Sequence, residues 1–258
     1  MNKILKIENL SIGYVTKKNQ NVIASNIHVT VNEPKLICLL GKNGIGKSTL
    51  LRTLSKMQLV LKGKIYIENK EIKDYTSIQL AKKVSVVLTE RIPPNNLTVY
   101  ELIALGRQMY TNWIGKMTIK DVLKIAKAIE VTKIDAIKNN KIEELSDGQY
   151  QKVMIARALA QDTPIILLDE PTAHLDINNK VEIYKLLKEL STKQNKTILI
   201  SSHELQLAIQ FADNLWLMSE NKFASGDTKT IIETNQLQDL FETKSVTFDK
   251  KTKQFLYH

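Results

Sequence analysis

The sequence predicts an α/β fold, a largely parallel sheet whose strands alternate with amphipathic helices. Three observations carry this expectation. Apolar runs of strand length recur at 36–40, 84–88, 165–168, 197–201 and 215–218, each continuous rather than alternating, as strands covered on both faces require. Between them, Ile183, Leu186, Leu187 and Leu190 repeat at helical spacing, and so do Leu205, Ala208, Ile209 and Ala212. A glycine-rich turn then joins the first of those strands to a helical run over 49–57.

The stretch 91–150 reads differently. Residues 98–107 and 118–131 both carry helical patterns, with no strong strand between them. Thr118-Ile119-Lys120-Asp121 has the form of a capped helix start, and Asp121 suits the positive end of a helix. Ile119, Val122, Leu123, Ala126 and Ile129 are expected to form its buried stripe. The expectation is one domain over 1–258, with 1–90 and 151–258 as a core and 91–150 as an inserted helical subdomain.

Composition narrows the function classes. A chain of 258 residues with 43% apolar and 25% charged residues is globular rather than disordered. No apolar run approaches the roughly 18 residues of a bilayer span, and the charged N-terminus lacks a signal-peptide pattern. Cys38 stands alone inside an apolar run, so no disulfide or cysteine-based metal site is expected. The net charge of +10 suggests an anionic partner. Only Arg52, Arg91, Arg107 and Arg157 are arginines, however, the lysines are scattered, and aromatics are 6%. Nucleic-acid readers concentrate arginine and stacking rings, so no nucleic acid is expected. The cytoplasm is the expected compartment.

The sharpest local signal is Gly41-Lys42-Asn43-Gly44-Ile45-Gly46-Lys47-Ser48, a complete G-x-x-x-x-G-K-[ST] match between a strand and a helix, with Thr49 directly after it. Glycines let the backbone wrap phosphates, so that loop N–H groups and the helix N-terminus bind the anion. Lys47 is expected to reach the β- and γ-phosphates and Ser48 to ligate Mg²⁺, which makes a nucleoside triphosphate the expected ligand. A second site is Ile165-Ile166-Leu167-Leu168-Asp169-Glu170, a buried strand ending in two carboxylates where open α/β sheets collect ligands. Asp169 suits the Mg²⁺ shell, and Glu170 is placed to polarise the attacking water.

Between these sites lies Leu145-Ser146-Asp147-Gly148-Gln149. Together with the phosphate loop and Asp169-Glu170, it resembles the signature Leu-Ser-Gly-Gly-Gln of the ATP-binding subunits of ABC transporters, with Asp147 as the one departure. The resemblance implies a P-loop NTPase (RecA-like) core with an inserted helical subdomain and an N-terminal antiparallel β portion. It also implies a head-to-tail homodimer in which Ser146, Gly148 and Gln149 contact the γ-phosphate of ATP held by the other subunit. Asp176, in Ala173-His174-Leu175-Asp176, resembles the loop that communicates between the two ATP sites, and it also reads as a helix N-cap. His203, 33 residues after Glu170, resembles the switch histidine that contacts the γ-phosphate. Tyr14 resembles the aromatic that stacks on adenine. Where the family carries a glutamine after the third core strand, this chain has Thr89-Glu90-Arg91. Thr89 aligns by strand length and Glu90 is adjacent, and either oxygen suits Mg²⁺.

The run from Asn96 to Arg107, with Leu97-Thr98-Val99-Tyr100-Glu101-Leu102-Ile103-Ala104-Leu105-Gly106-Arg107, resembles importers of ferric siderophores, haem and cobalamin. What the resemblance implies is an ATPase on the cytoplasmic face of the cell membrane. Its partners would be integral-membrane permease subunits and, indirectly, a substrate-binding protein. ABC ATPases for another substrate, or a soluble one of cluster-assembly type, are the alternatives.

Overall fold

The computed structural model describes residues 3–15, 19–93, 96–111, 115–220, 222–241, 246–250 and 252–257. Its central sheet has six strands in the order β10-β9-β3-β8-β7-β6. These are β3 (Leu36–Leu40), β6 (Val84–Val87), β7 (Ile165–Asp169), β8 (Thr197–Ser202), β9 (Asn214–Met218) and β10 (Phe223–Asp227). All neighbours run parallel except β9 and β10, which form an antiparallel edge.

The continuous apolar runs are explained by what covers the sheet. Leu36, Cys38 and Leu40 of β3 face one core cluster, while Ile37 and Leu39 face the other. In β7, Ile166 and Leu168 separate from Ile165 and Leu167 in the same way. Every residue of β3 and β7 is buried, and a fully buried Leu or Ile contributes about 1.5–3 kcal/mol. Cys38 is a core residue as its context suggests, its thiol pushed far up by burial.

The second core lies under an antiparallel sheet in the order β2-β1-β4-β5, built from β1 (Leu5–Val15), β2 (Gln20–Val31), β4 (Lys62–Ile67) and β5 (Lys70–Glu71). Leu5, Ile7, Leu10, Ile12, Ile65 and Ile67 from this sheet pack in the same cluster as Ile37, Leu39 and Trp216. The helix α1 (Lys47–Leu54) runs between the two sheets, burying Leu50, Leu51 and Leu54. Short α2 (Ser77–Ala81) leads into β6.

On the other face stand α3 (Val99–Ala104), α4 (Ile119–Thr132), α5 (Asp147–Ala160), α6 (Ile177–Lys193) and α7 (Leu205–Phe211). The chain ends in α8 (Thr228–Glu233), α9 (Gln236–Phe241) and a hairpin of β11 (Val246–Asp249) and β12 (Gln254–Tyr257). In α4 the predicted stripe is rotated. Ile119, Val122, Leu123 and Ala126 are exposed, and the buried face is Asp121, Ile125, Ala128, Ile129 and Thr132.

The cause of that rotation is a charge. The Arg107 guanidinium, 2% exposed, donates to Asp121 Oδ1 at 2.9 Å and to the Ala160 carbonyl at 2.8 Å, and it lies over the Tyr110 ring. A buried arginine needs a buried acceptor, so Asp121 turns inward. The predicted cap is also present: Thr118 donates from both its hydroxyl and its backbone N–H to Asp121 Oδ2. These bonds, with Arg107, hold the Asp121 carboxyl down to about 2.

Arg107→Ala is therefore expected to cost about 3–5 kcal/mol of stability, measured by urea unfolding, because it strands a buried carboxylate. Asp121 is depressed in the folded chain. Its contribution is full above the ordinary value of 3.8 and disappears as the pH falls toward about 2. The stability gap between wild type and Arg107→Ala is thus expected to be level near neutrality and to narrow only in strong acid.

Candidate phosphate-binding and hydrolysis site

The turn after β3 closes on its own lysine. Lys47 Nζ donates to the carbonyls of Gly41 at 3.0 Å and Lys42 at 3.2 Å, and it lies 3.7 Å from Glu170 Oε1. Gly46 stands at φ 106° as the N-cap of α1, and a Cβ there would come within 2.4 Å of the Ile23 side chain. That position needs glycine on both counts. The loop thus leads directly into the N-terminus of α1, the kind of helix end that favours anions. Lys47 is buried, which pulls its ammonium below the usual lysine range, with Glu170 and Asp169 opposing that shift.

One step inward is a compact oxygen network. Ser48 donates to Asp169 Oδ1 at 2.9 Å, and Ser201 donates to the same atom at 2.6 Å. The Ser201 hydroxyl also accepts from the Glu170 N–H at 2.9 Å, and the Thr89 hydroxyl donates to the Asp169 carbonyl at 2.9 Å. Parallel pairing of Asp169 with Ser201 in β7 and β8 places these groups side by side. Glu170 follows the strand at φ 47°, a conformation a non-glycine residue holds only when its surroundings enforce it. The Ser201 bond supplies part of that enforcement.

Ser48 Oγ and Asp169 Oδ1 are hard oxygen donors at hydrogen-bond distance from each other, a pair that fits Mg²⁺, which takes few protein ligands and completes its shell with water and phosphate. The cavity of about 320 Å³ in front of them is walled by Tyr14, Ile23, Asn43, Gly44, Gly46, Lys47, Ser48, Thr49 and Glu170. The Tyr14 ring stands 44% exposed at its rim, its hydroxyl 3.0 Å from Thr49 Oγ1. On the loop's outer side, Lys42, Asn43, Gly44 and Ile45 border a second cavity with Met218 and Ser219.

The remaining candidates lie outside those walls. Glu90 is exposed and accepts from Arg52 Nη2 at 2.8 Å, so the side chain beside Asp169 is that of Thr89. The arginine on α1 draws the Glu90 carboxylate away from the Asp169 network. Ser146 caps α5, accepting from the Gln149 N–H at 3.4 Å, while Gln149 Oε1 accepts from the Ser146 N–H at 3.0 Å. Asp147 pairs with Arg91. Asp176 caps α6 through the Asn179 N–H at 2.9 Å and also accepts from the Asn179 side-chain amide. That amide lies against Gly148, where a Cβ would meet Asn179 Oδ1 at 2.6 Å, so the two helix starts touch. His203 follows β8, half-exposed, with Nε2 3.3 Å from Glu204 Oε1.

Sequence reasoning missed Ser201 and Arg91. Serine at the end of a buried strand carries no signal until its neighbour strand is known, and Arg91 was one of several scattered cations.

The chain matches the ABC transporter family over residues 24–173. It is 31% identical over 246 residues to a ferric enterobactin transport ATP-binding protein of Escherichia coli, covering 95% of this chain and 89% of that one. Its structure resembles a transporter assigned to the metal-chelate type, solved in an inward-facing conformation, with a TM-score of 0.81 and 27% identity. That match covers 100% of this chain and 96% of the other. It also resembles a dimeric ATP-binding cassette in a post-hydrolysis state with ADP and phosphate bound, with a TM-score of 0.73 and 27% identity. There the coverage is 87% of this chain and 98% of the other. With its phosphate loop, paired carboxylates and signature segment in this order, the chain belongs to the ABC transporter family, as an ATP-hydrolysing ATP-binding subunit.

Proposed function

We propose that this subunit powers import of an iron chelate, a ferric siderophore or haem, or of cobalamin, through permease subunits at the cytoplasmic face of the membrane. The observation that carries the ATPase part is the Lys47–Ser48–Asp169–Glu170 network around one cavity. Similarity to a ferric enterobactin transport protein supports the cargo class.

Tyr14 stacks on adenine, and residues 41–49 hold the phosphates, with Lys47 toward the β- and γ-phosphates. Ser48 and Asp169 would hold Mg²⁺, with Thr89 at its edge rather than Glu90, which pairs with Arg52. The metal neutralises phosphate charge when bound. Glu170 polarises the attacking water. A second copy, head to tail, brings Ser146, Gly148 and Gln149 to the γ-phosphate, and Asp176 links the two sites. His203, exposed at the end of β8, reaches the γ-phosphate on closure. Residues 91–150 seat the permease, and a substrate-binding protein delivers cargo outside. The dimeric cassette holding ADP and phosphate supports this arrangement.

The test is uptake of labelled iron, supplied as ferric siderophore and as haem, in cells lacking redundant importers and carrying wild type or Glu170→Gln. Loss of one chelate's uptake only in the variant is the expected result, and it identifies the cargo. Unchanged uptake of both removes the iron assignment and moves cobalamin forward, then a soluble ATPase of cluster-assembly type.

A further inference from the structure

Asp147 stands in an awkward place for an ATPase of this kind. It is the first residue of α5, directly after the Ser146 cap. A carboxylate there suits the helix itself, but it occupies the end that an incoming phosphate would use. Two negative groups at one helix terminus repel, and the site would bind its anion less well.

The structure also supplies the countercharge. Arg91 donates to Asp147 Oδ1, and its guanidinium carbon lies 5.2 Å from the centroid of the Tyr150 ring, one turn along α5. Next to it, the Ile92 N–H donates to the Tyr150 hydroxyl at 3.0 Å. The segment after β6 is thus fastened to the first turn of α5 by an ion pair, a ring contact and a hydrogen bond. Arg91, Asp147 and Tyr150 also line one cavity of about 420 Å³ with Glu170, Thr89 and His174. Both ion-pair side chains are more than half exposed, at 61% and 53%, so the pair contributes little to folding.

We propose that Arg91 is a positioning residue for ATP-driven pairing of two subunits. It cancels the Asp147 charge, so that the start of α5 accepts the terminal phosphate of a nucleotide held by a second copy. The inference rests on the head-to-tail reading given above. It joins the segment after β6 to the third residue of the signature segment. Arginine suits the task because its planar guanidinium holds a carboxylate while lying against a ring.

The test uses four full-length proteins, all carrying Glu170→Gln so that ATP accumulates unhydrolysed: the parent, Arg91→Ala, Asp147→Gly, and both together. Dimer formation is followed by light scattering while ATP is titrated with Mg²⁺. ATP binding to the dilute monomer is followed by equilibrium dialysis. Arg91→Ala is expected to raise the ATP concentration for half-maximal dimer by about tenfold, the effect of one uncompensated charge near a phosphate, and high salt should shrink the defect. Adding Asp147→Gly should return it to within about twofold of the parent, whose local charge the double variant shares, with monomer affinity equal in all four. An Arg91→Ala protein that dimerises like its parent overturns the inference. So does a double variant as impaired as Arg91→Ala, since the arginine would then act elsewhere. A parent that binds ATP yet forms no dimer overturns the head-to-tail reading, and this inference falls with it.

Discussion

Glu170→Gln is expected to lower ATP turnover by about 10²–10⁴-fold, the usual contribution of a positioned general base, while ATP affinity changes little. The split follows from the geometry. Glutamine keeps the volume and the backbone of Glu170, so the N–H bond to Ser201 and the turn at φ 47° survive. What disappears is a basic oxygen 3.7 Å from Lys47 Nζ. Losing that anion leaves the buried ammonium without one compensating charge, an effect on the resting site that partly offsets itself when phosphate arrives. Steady-state phosphate release and equilibrium dialysis on the same protein separate the two quantities. Turnover within threefold of wild type would remove Glu170 from the reaction, and a parallel loss of binding would make its role structural.

Lys47→Ala is expected to weaken ATP binding by roughly 100-fold, since two charge-assisted hydrogen bonds of about 1.5 kcal/mol each are lost. In the free protein those bonds go to the Gly41 and Lys42 carbonyls. The lysine therefore shapes the loop before any phosphate enters, and its removal loosens the turn as well as deleting a charge. Lys47→Arg makes a useful companion. The charge remains, but a planar guanidinium does not fit between two carbonyls in a space built for a point donor. Binding by Lys47→Arg well below wild type, with the fold intact by circular dichroism, would attribute the effect to loop geometry rather than to net charge. Unchanged affinity in Lys47→Ala would take this residue out of the site.

Much of the architecture is legible in the sequence. The five core strands of the sequence reading coincide with β3, β6, β7, β8 and β9 to within a residue or two at each end. Their apolar runs were long and unbroken because helices cover one face and a second sheet the other. The N-terminal sheet was less legible. In β1 the inward residues Ile7, Leu10 and Ile12 do not keep a strict alternation, because the register shifts between Ile7 and Leu10 and again before Ile12. An irregular strand has no clean period to read.

In α4 the helix and its cap were readable but the face was not. Both candidate stripes are spaced helically, and local sequence cannot choose between them. The choice is made by Arg107, which is buried from a neighbouring segment and draws Asp121 inward.

What the sequence determined by itself was therefore local and contiguous: the phosphate loop, the carboxylates ending β7, the signature segment and the caps at Thr118 and Asp176. Each depends on residues within a few positions of one another, so the backbone expresses it wherever the chain goes. What only the tertiary structure decided was who stands next to whom. Ser201 meets Asp169 because β7 and β8 lie side by side in parallel register. Thr89 rather than Glu90 reaches that carboxylate's backbone because Arg52 on α1 takes the Glu90 charge. Arg91 reaches Asp147 because the segment after β6 folds onto the start of α5. Charges and hydroxyls pair over distances in space that carry no trace in sequence separation, and the packed core sets those distances.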